Sequence, residues 1–454
     1  MKRLAAVLVV AAVVAAACDR GGADGASPTS GSSPSLVPPR ETIEEAPGGG
    51  IPDVPPQRLV AGDAARVMGE LCVPPDLDVS GDPPEPRPTD PRLAQVEDQV
   101  AEIRGLAWLR PVVAEPIDDE EMDRRIDEAF AAQFPEDLYD RRTLAWRAIG
   151  AIGPDDDLHD ALLAFGRGQV VGYYDPQNGE LVYLANEGGE LGITEKAVLA
   201  HELVHALDDQ HFDLRRVDAL VAGCRDEELA AALGVVEGSA QHFSTQVLVR
   251  YPAPLDEGLL EALAQGGVPE DVPPFVAQLQ LLSYTEGQAF VSEIVDGSTA
   301  PADAALDELP PTTEQILHPE RWPDDEPTPV EPIDVTDGLA GALEGWSDLD
   351  VMQIGELWLR ELLQLRLDEG VSDEAAAGWD GGAYRAWSRA GDDAVVVTLR
   401  TAWDTRADAE AFADAIDAWM SEGATLGRVL AADGTTVDVA FASDDETLRA
   451  AGLG

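Results

Sequence analysis

His201-Glu202-Leu203-Val204-His205-Ala206-Leu207-Asp208-Asp209-Gln210-His211 gathers three of the chain's six histidines into eleven residues. Thr194 reads as an N-cap, and the spacing predicts a helix from about Glu195 to Gln210 with Ala200, Val204 and Leu207 facing the core. At 3.6 residues per turn, His201 and His205 lie about 40° apart on one face, one turn from each other. Imidazoles so placed can reach one tetrahedral zinc ion. Glu202, about 100° round the helix, can hold and deprotonate a water there without binding the ion. Given the chain's histidine content, an accidental H-E-x-x-H is expected on the order of 0.01 times. A helix with two incidental surface histidines is therefore the weaker reading.

A catalytic zinc site takes three protein ligands and keeps a fourth position open. Two residues compete for third ligand. His211 would complete the metzincin spacing H-E-x-x-H-x-x-x-x-x-H, but that pattern needs a glycine where Asp208 stands, so the helix should continue and carry His211 about 120° away from His205. Glu237, in Gly234-Val235-Val236-Glu237-Gly238-Ser239-Ala240-Gln241, is the better candidate. It lies near the apolar stripe of a helix predicted from Asp226 to about Arg250, where an unpaired carboxylate is costly and a metal would remove the cost. A buried Glu paired with an Arg is the plain alternative. Gly234 and Gly238, four apart, suit close packing on the His201 helix.

Upstream, Pro111 to Pro116 reads as a strand and Asp118 to Phe134 as a helix, followed by two helices broken at Gly153-Pro154. Gln169 to Tyr174 and Glu180 to Leu184 form a hairpin around Asp175-Pro176-Gln177-Asn178-Gly179. Downstream, helices are expected over Pro273 to Val295 and Asp348 to Asp368. The last seventy or so residues read β-β-α-β-β, with turns at Gly391-Asp392-Asp393 and Asp433-Gly434. The fold class is therefore α+β: a mainly helical domain over residues 58–380 with a small sheet, then a small α+β domain over 381–454.

Composition bounds the function. Lys+Arg 30 against Asp+Glu 87 gives a net charge of −57, which excludes a basic nucleic-acid-binding domain. The 45% hydrophobic content supports a real core. Met1-Lys2-Arg3, an apolar run from Leu4 to Ala17 and then Cys18 read as an export signal over 1–17 of the lipoprotein kind, with a lipid on Cys18 holding the protein to the outer face of a bacterial membrane. Residues 18–57, rich in Gly, Ser and Pro, read as a flexible stalk. Outside the reducing cytosol, Cys72 and Cys224 are free to pair or to remain buried thiols.

The set His201, Glu202, His205 and Glu237 resembles the gluzincin branch of the zincin metallopeptidases. Gly172-Tyr173-Tyr174-Asp175-Pro176, His201 to Leu214, Glu237-Gly238-Ser239-Ala240 and Gln315-Ile316-Leu317-His318-Pro319-Glu320 are also similar to largely uncharacterised bacterial predicted metallopeptidases, over about residues 95 to 390. The resemblance implies a zincin fold and a peptide or protein substrate, with His201, His205 and Glu237 as zinc ligands and Glu202 as general base. Gln241 would be a partner for a ligand histidine, although many gluzincins have Asp there. It also implies an oxyanion donor, for which His318 and Tyr284 are the candidates. A substrate strand would lie along an edge strand, either Gln169 to Tyr174 or Leu181 to Asn186. Two rivals are a non-catalytic zincin-fold scaffold and an amidase acting on cell-wall amides.

Overall fold

The computed structural model describes residues 57–72, 91–133, 137–184, 191–255, 268–269, 271–335, 345–391 and 394–451. The signal peptide, Cys18 and nearly all of the stalk read from the sequence lie outside the described residues. The chain is α+β, a mainly helical N-terminal part with a small mixed sheet, followed by a five-stranded antiparallel sheet with its helices.

In the helical part the order is α1 (Gly62–Leu71), α2 (Pro91–Arg104), β1 (Val113–Ile117), α3 (Asp119–Gln133), α4 (Leu138–Ile149), α5 (Leu158–Gln169), β2 (Gly172–Asp175) and β3 (Glu180–Leu184). Then come α6 (Ile193–Phe212), α7 (Arg215–Ala222), α8 (Asp226–Arg250), α9 (Pro274–Ile294), α10 (Ala300–Asp307) and α11 (Thr313–Leu317). The predicted hairpin is present, with β2 antiparallel to β3 and β1 parallel to β3 on its other side. Leu181 therefore sits in the central strand, which has no free edge for a substrate. β2 is an edge strand, but all four of its residues are buried. It can lie on α6 because Gly172 has no side chain: a Cβ there would be 2.8 Å from Val198 Cγ1. The α6 N-cap is Gly192 rather than Thr194.

The C-terminal part runs β4 (Trp346–Gln353), α12 (Glu356–Gln364), α13 (Glu369–Ala376), β5 (Trp379–Arg389), β6 (Val395–Trp403), α14 (Arg406–Ser421), β7 (Leu426–Asp433), β8 (Thr436–Ala442) and α15 (Asp445–Ala450), with sheet order β4-β5-β6-β8-β7. The expected β-β-α-β-β series is β5 to β8. The helix expected over Asp348 to Asp368 is instead strand β4 and then α12, because Val351 and Met352 pair onto β5 and tertiary burial overrides local propensity.

One core joins the two parts. Trp146 of α4, Phe275 of α9 and Trp358 of α12 meet one another edge to face at 5.2 to 6.1 Å, and Trp379, Trp403 and Trp419 continue the same cluster. Burying each ring contributes about 1.5–3 kcal/mol, so the sheet and the helices hold each other in place. A disulfide joins Cys72 to Cys224, fixing the end of α1 to the turn before α8.

Candidate metal centre

Helix α6 presents His201 and His205 one turn apart, as the spacing predicts, and α8 brings Glu237 to them. The two Nε2 atoms are 3.1 Å apart, and Glu237 Oε2 is 3.1 Å from His201 Nε2 and 3.5 Å from His205 Nε2. A tetrahedral zinc with ligands at about 2.0–2.1 Å has ligand edges of about 3.3 Å, so the three atoms already trace one face of such a polyhedron. All three residues are buried. Glu202 is 0% exposed; the Tyr174 backbone N–H acts weakly on its carboxylate, and neither oxygen has a well-formed hydrogen bond among the described residues. An orphaned carboxylate beside three converging donor atoms fits a water held on a metal ion.

The electrostatics separate the two carboxylates. Burial pushes Glu202 up to about 8, and the charge of Glu237 adds to the rise while His205 opposes it. Burial also opposes ionisation of Glu237, but His205 and His201 outweigh it and hold the group at about 2. Burial pushes His201 down. His205 is raised on balance, because Glu237, Glu202 and Asp208 outweigh its burial. One buried carboxylate is thus held as an anion, as a metal ligand must be, while burial keeps the other close to neutrality.

Gln241, one turn beyond Glu237, hydrogen-bonds the His201 side chain and raises its basicity. The ring of Tyr284, buried on α9, stacks on His201 with centroids 6.2 Å apart. His318 stands in a different network: its Nε2 is 2.9 Å from Glu356 Oε1, and this contact raises its pKa. His211 is half-exposed, with Nε2 2.8 Å from the Ala107 carbonyl, so it is not among the converging donors.

The glycine pair of α8 serves a different helix from the one expected. A Cβ on Gly238 would lie 2.2 Å from the Gly287 carbonyl oxygen, and one on Gly287 would lie 2.1 Å from that of Gly234. Close contact is therefore made with α9, and it is this contact that carries Tyr284 up to His201.

Contacts that sequence reasoning missed align α6 with α8. Asp208 accepts from Ser239 Oγ at 2.6 Å and from Arg104 Nε at 2.7 Å. Arg104 is fully buried, also pairs with Asp303, and lies over the Phe243 ring at 4.7 Å. The next residues clamp the end of α6. Asp209 accepts from Tyr174 Oη and the Leu214 N–H, and Gln210 Oε1 accepts from the Leu109 and Arg110 N–H groups. The run of polar residues after Leu207 is the sequence signal for this clamp, but its partners Tyr174, Leu109 and Arg110 lie 35 to 101 residues away.

Residues 345–451 match the family described as a domain of unknown function, DUF8575. No curated protein and no solved structure matches the chain. No helix among the described residues is long and apolar enough to cross a membrane.

Proposed function

We propose that the chain is a zinc-dependent hydrolase of peptide bonds, exported and held to the cell envelope by a lipid on Cys18. The observation that carries the reading is the orphaned Glu202 carboxylate beside the converging donors of His201, His205 and Glu237. A bound divalent ion supplies Lewis acidity to a carbonyl and lowers the pKa of a coordinated water. Glu202 accepts the proton of the attacking water and returns it to the departing amine, so that one water is consumed for each bond cut. Tyr284, against His201, is the proposed oxyanion donor, and the Glu356 partner of His318 makes that residue the weaker choice. The disulfide supports export, since such bonds persist in oxidising compartments.

The burial of the triad favours a second reading: His201 is 3%, His205 1% and Glu237 2% exposed, as in a closed structural metal site on a scaffold protein. A comparison of wild type with Glu202→Gln separates the two readings. Both are loaded with zinc and incubated with a mixed pool of unstructured peptides followed by mass spectrometry. The hydrolase reading predicts cleavage that falls by about 10²- to 10⁴-fold in the variant at equal zinc content. Equal zinc with cleavage by neither protein supports the scaffold.

A further inference from the structure

A cavity of about 420 Å³ lies between α7, the N-terminal end of α8, the segment that follows α10 and residues 322–326. None of His201, Glu202, His205 or Glu237 lines it. Its wall on α8 is Glu228, nine residues before Glu237. By helix geometry the two carboxylates are about 13.5 Å apart along the axis and on opposite faces, so the cavity stands apart from the metal centre.

The lining combines apolar, aromatic and charged surface. Leu220, Leu309, Pro310 and Pro311 are apolar, and Trp322 stands among them, its ring edge to face with Phe290 at 6.1 Å between centroids. Five carboxylates, Glu228, Asp307, Glu308, Asp325 and Glu326, share the lining with two guanidiniums, Arg58 and Arg216. Both guanidiniums are engaged: Arg58 pairs with Glu326 at 3.6 Å, and Arg216 donates to the carbonyls of Asp213, Leu306 and Asp307. The acids are answered less fully. Glu228 is 7% exposed, and its contacts, from Arg225 at 2.8 Å and Gln353 at 3.5 Å, both go to Oε2, which leaves Oε1 to the cavity. Glu308 is exposed at the rim and has no ion pair among the described residues. The facing wall is fixed in advance, since the Asp325 carbonyl accepts from Gln315 Nε2 at 2.8 Å and its carboxylate from Arg321 Nη1 at 3.0 Å.

We propose that this cavity binds an organic cation, a guanidinium on an apolar stem such as an arginine side chain, with Glu228 and Glu308 answering its charge and Trp322 stacking on its plane. The site goes beyond the hydrolase reading and does not depend on it. Its volume falls within the range of about 300 to 1,000 Å³ common to preformed small-molecule sites. An anion would meet a surplus of carboxylates in a chain of net charge −57. A neutral apolar ligand would cover the Glu228 carboxylate without answering it, at a cost in desolvation. A guanidinium meets every part of the lining: its stem lies on leucine and proline, its face on the indole, and its paired N–H donors on a carboxylate.

The test is isothermal titration calorimetry of the full chain at about 0.15 M salt, without metal so that no peptide is consumed. The probes are the peptide acetyl-Gly-Arg-Gly-amide, its neutral citrulline counterpart and butylguanidine. The arginine peptide should bind wild type at least about tenfold more tightly than the citrulline peptide. Its affinity should fall at least about fivefold in Glu228→Gln and at least about threefold in Glu308→Gln and in Trp322→Leu. The last two variants leave the buried carboxylate in place and decide the matter if Glu228→Gln does not fold. Glu374→Gln, which removes an exposed acid on α13, should bind as wild type does. Butylguanidine binding as tightly as the arginine peptide assigns the cavity to a small free guanidine, and tighter binding of the peptide assigns it to a presented side chain; both uphold the site. Failure of every probe to bind overturns it, as does equal binding of the arginine and citrulline peptides. A loss in Glu374→Gln equal to that in Glu308→Gln also overturns it, by showing a diffuse attraction to the acidic surface. Glu202→Gln should bind the arginine peptide as wild type does, so failure of this site and failure of the hydrolase reading are separate results.

Discussion

Helix α8 buries carboxylates in two places, and the two places do different work. At its N-terminal end Asp226 pairs with Arg142, which also reaches Asp350, while Glu227 accepts from the Thr313 N–H and Oγ at 2.5 and 2.7 Å. Near its middle, Glu237 meets the Nε2 atoms of His201 and His205. Burial pushes Glu227 up to about 7 despite its donors, whereas the histidines hold Glu237 at about 2. A buried acid is therefore no sign of a site by itself, and an Arg-paired carboxylate, the alternative weighed for Glu237, stands eleven residues earlier at Asp226. What marks the site is two histidine nitrogens and a carboxylate oxygen converging within 3.5 Å, a set that could hold one metal ion.

The sharpest way to break this comparison is to remove one charge at each place. Glu237→Gln should weaken zinc binding by at least about 10³-fold, since a carboxylate ligand becomes a neutral amide. Glu227→Gln should leave zinc affinity within about threefold and instead cost about 1–3 kcal/mol of stability through its disturbed contacts with Thr313. Competition with a chromophoric chelator reads the first effect and urea unfolding the second. Similar zinc losses in both would erase the distinction.

Reducing the Cys72–Cys224 disulfide strikes only the N-terminal end of α8. A cross-link closing a loop of this length is worth up to about 5 kcal/mol, so the midpoint of urea unfolding should fall strongly while the zinc affinity of the protein that stays folded is retained. A smaller effect is expected where α6 meets α8. Asp208→Asn loosens the contacts to Ser239 and Arg104, and zinc affinity should drop about 10- to 100-fold with little change in far-ultraviolet circular dichroism.

The smallest effect is a slope. Glu227 binds its proton more tightly in the folded chain than in the unfolded one, so its contribution to stability is fully present below about pH 4.5 and is lost as pH rises through about 7. Metal-free wild type should therefore lose stability between pH 5 and 7. Glu227→Gln should remove up to about 1.4 kcal/mol per pH unit of that loss. An unchanged slope would show that Glu227 is not the group responsible.

Much of the site was legible because its information is local. His201, Glu202 and His205 lie within a single turn, and Glu237 announced itself by standing on an apolar stripe. The hairpin β2–β3 and the strands β5 to β8 were legible for the same reason, their turns and alternation being short-range. What escaped depends on distant partners. Strand β4 reads like a helix until β5 is beside it, and Gly234 and Gly238 suit a close contact without saying that Gly287 receives it. Asp208 reads as a missing metzincin glycine, although its role is fixed by Arg104 and Ser239. His318 stood in a family-like segment, but Glu356, thirty-eight residues later, holds its ring.

X-ray absorption at the zinc edge, on protein loaded with one equivalent of zinc, tests the metal centre most directly. The geometry predicts one zinc per chain with two imidazole nitrogens and one carboxylate oxygen at about 2.0–2.1 Å, and loss of that signal in Glu237→Gln. Failure of wild type to retain zinc, or a shell unchanged by Glu237→Gln, would contradict it.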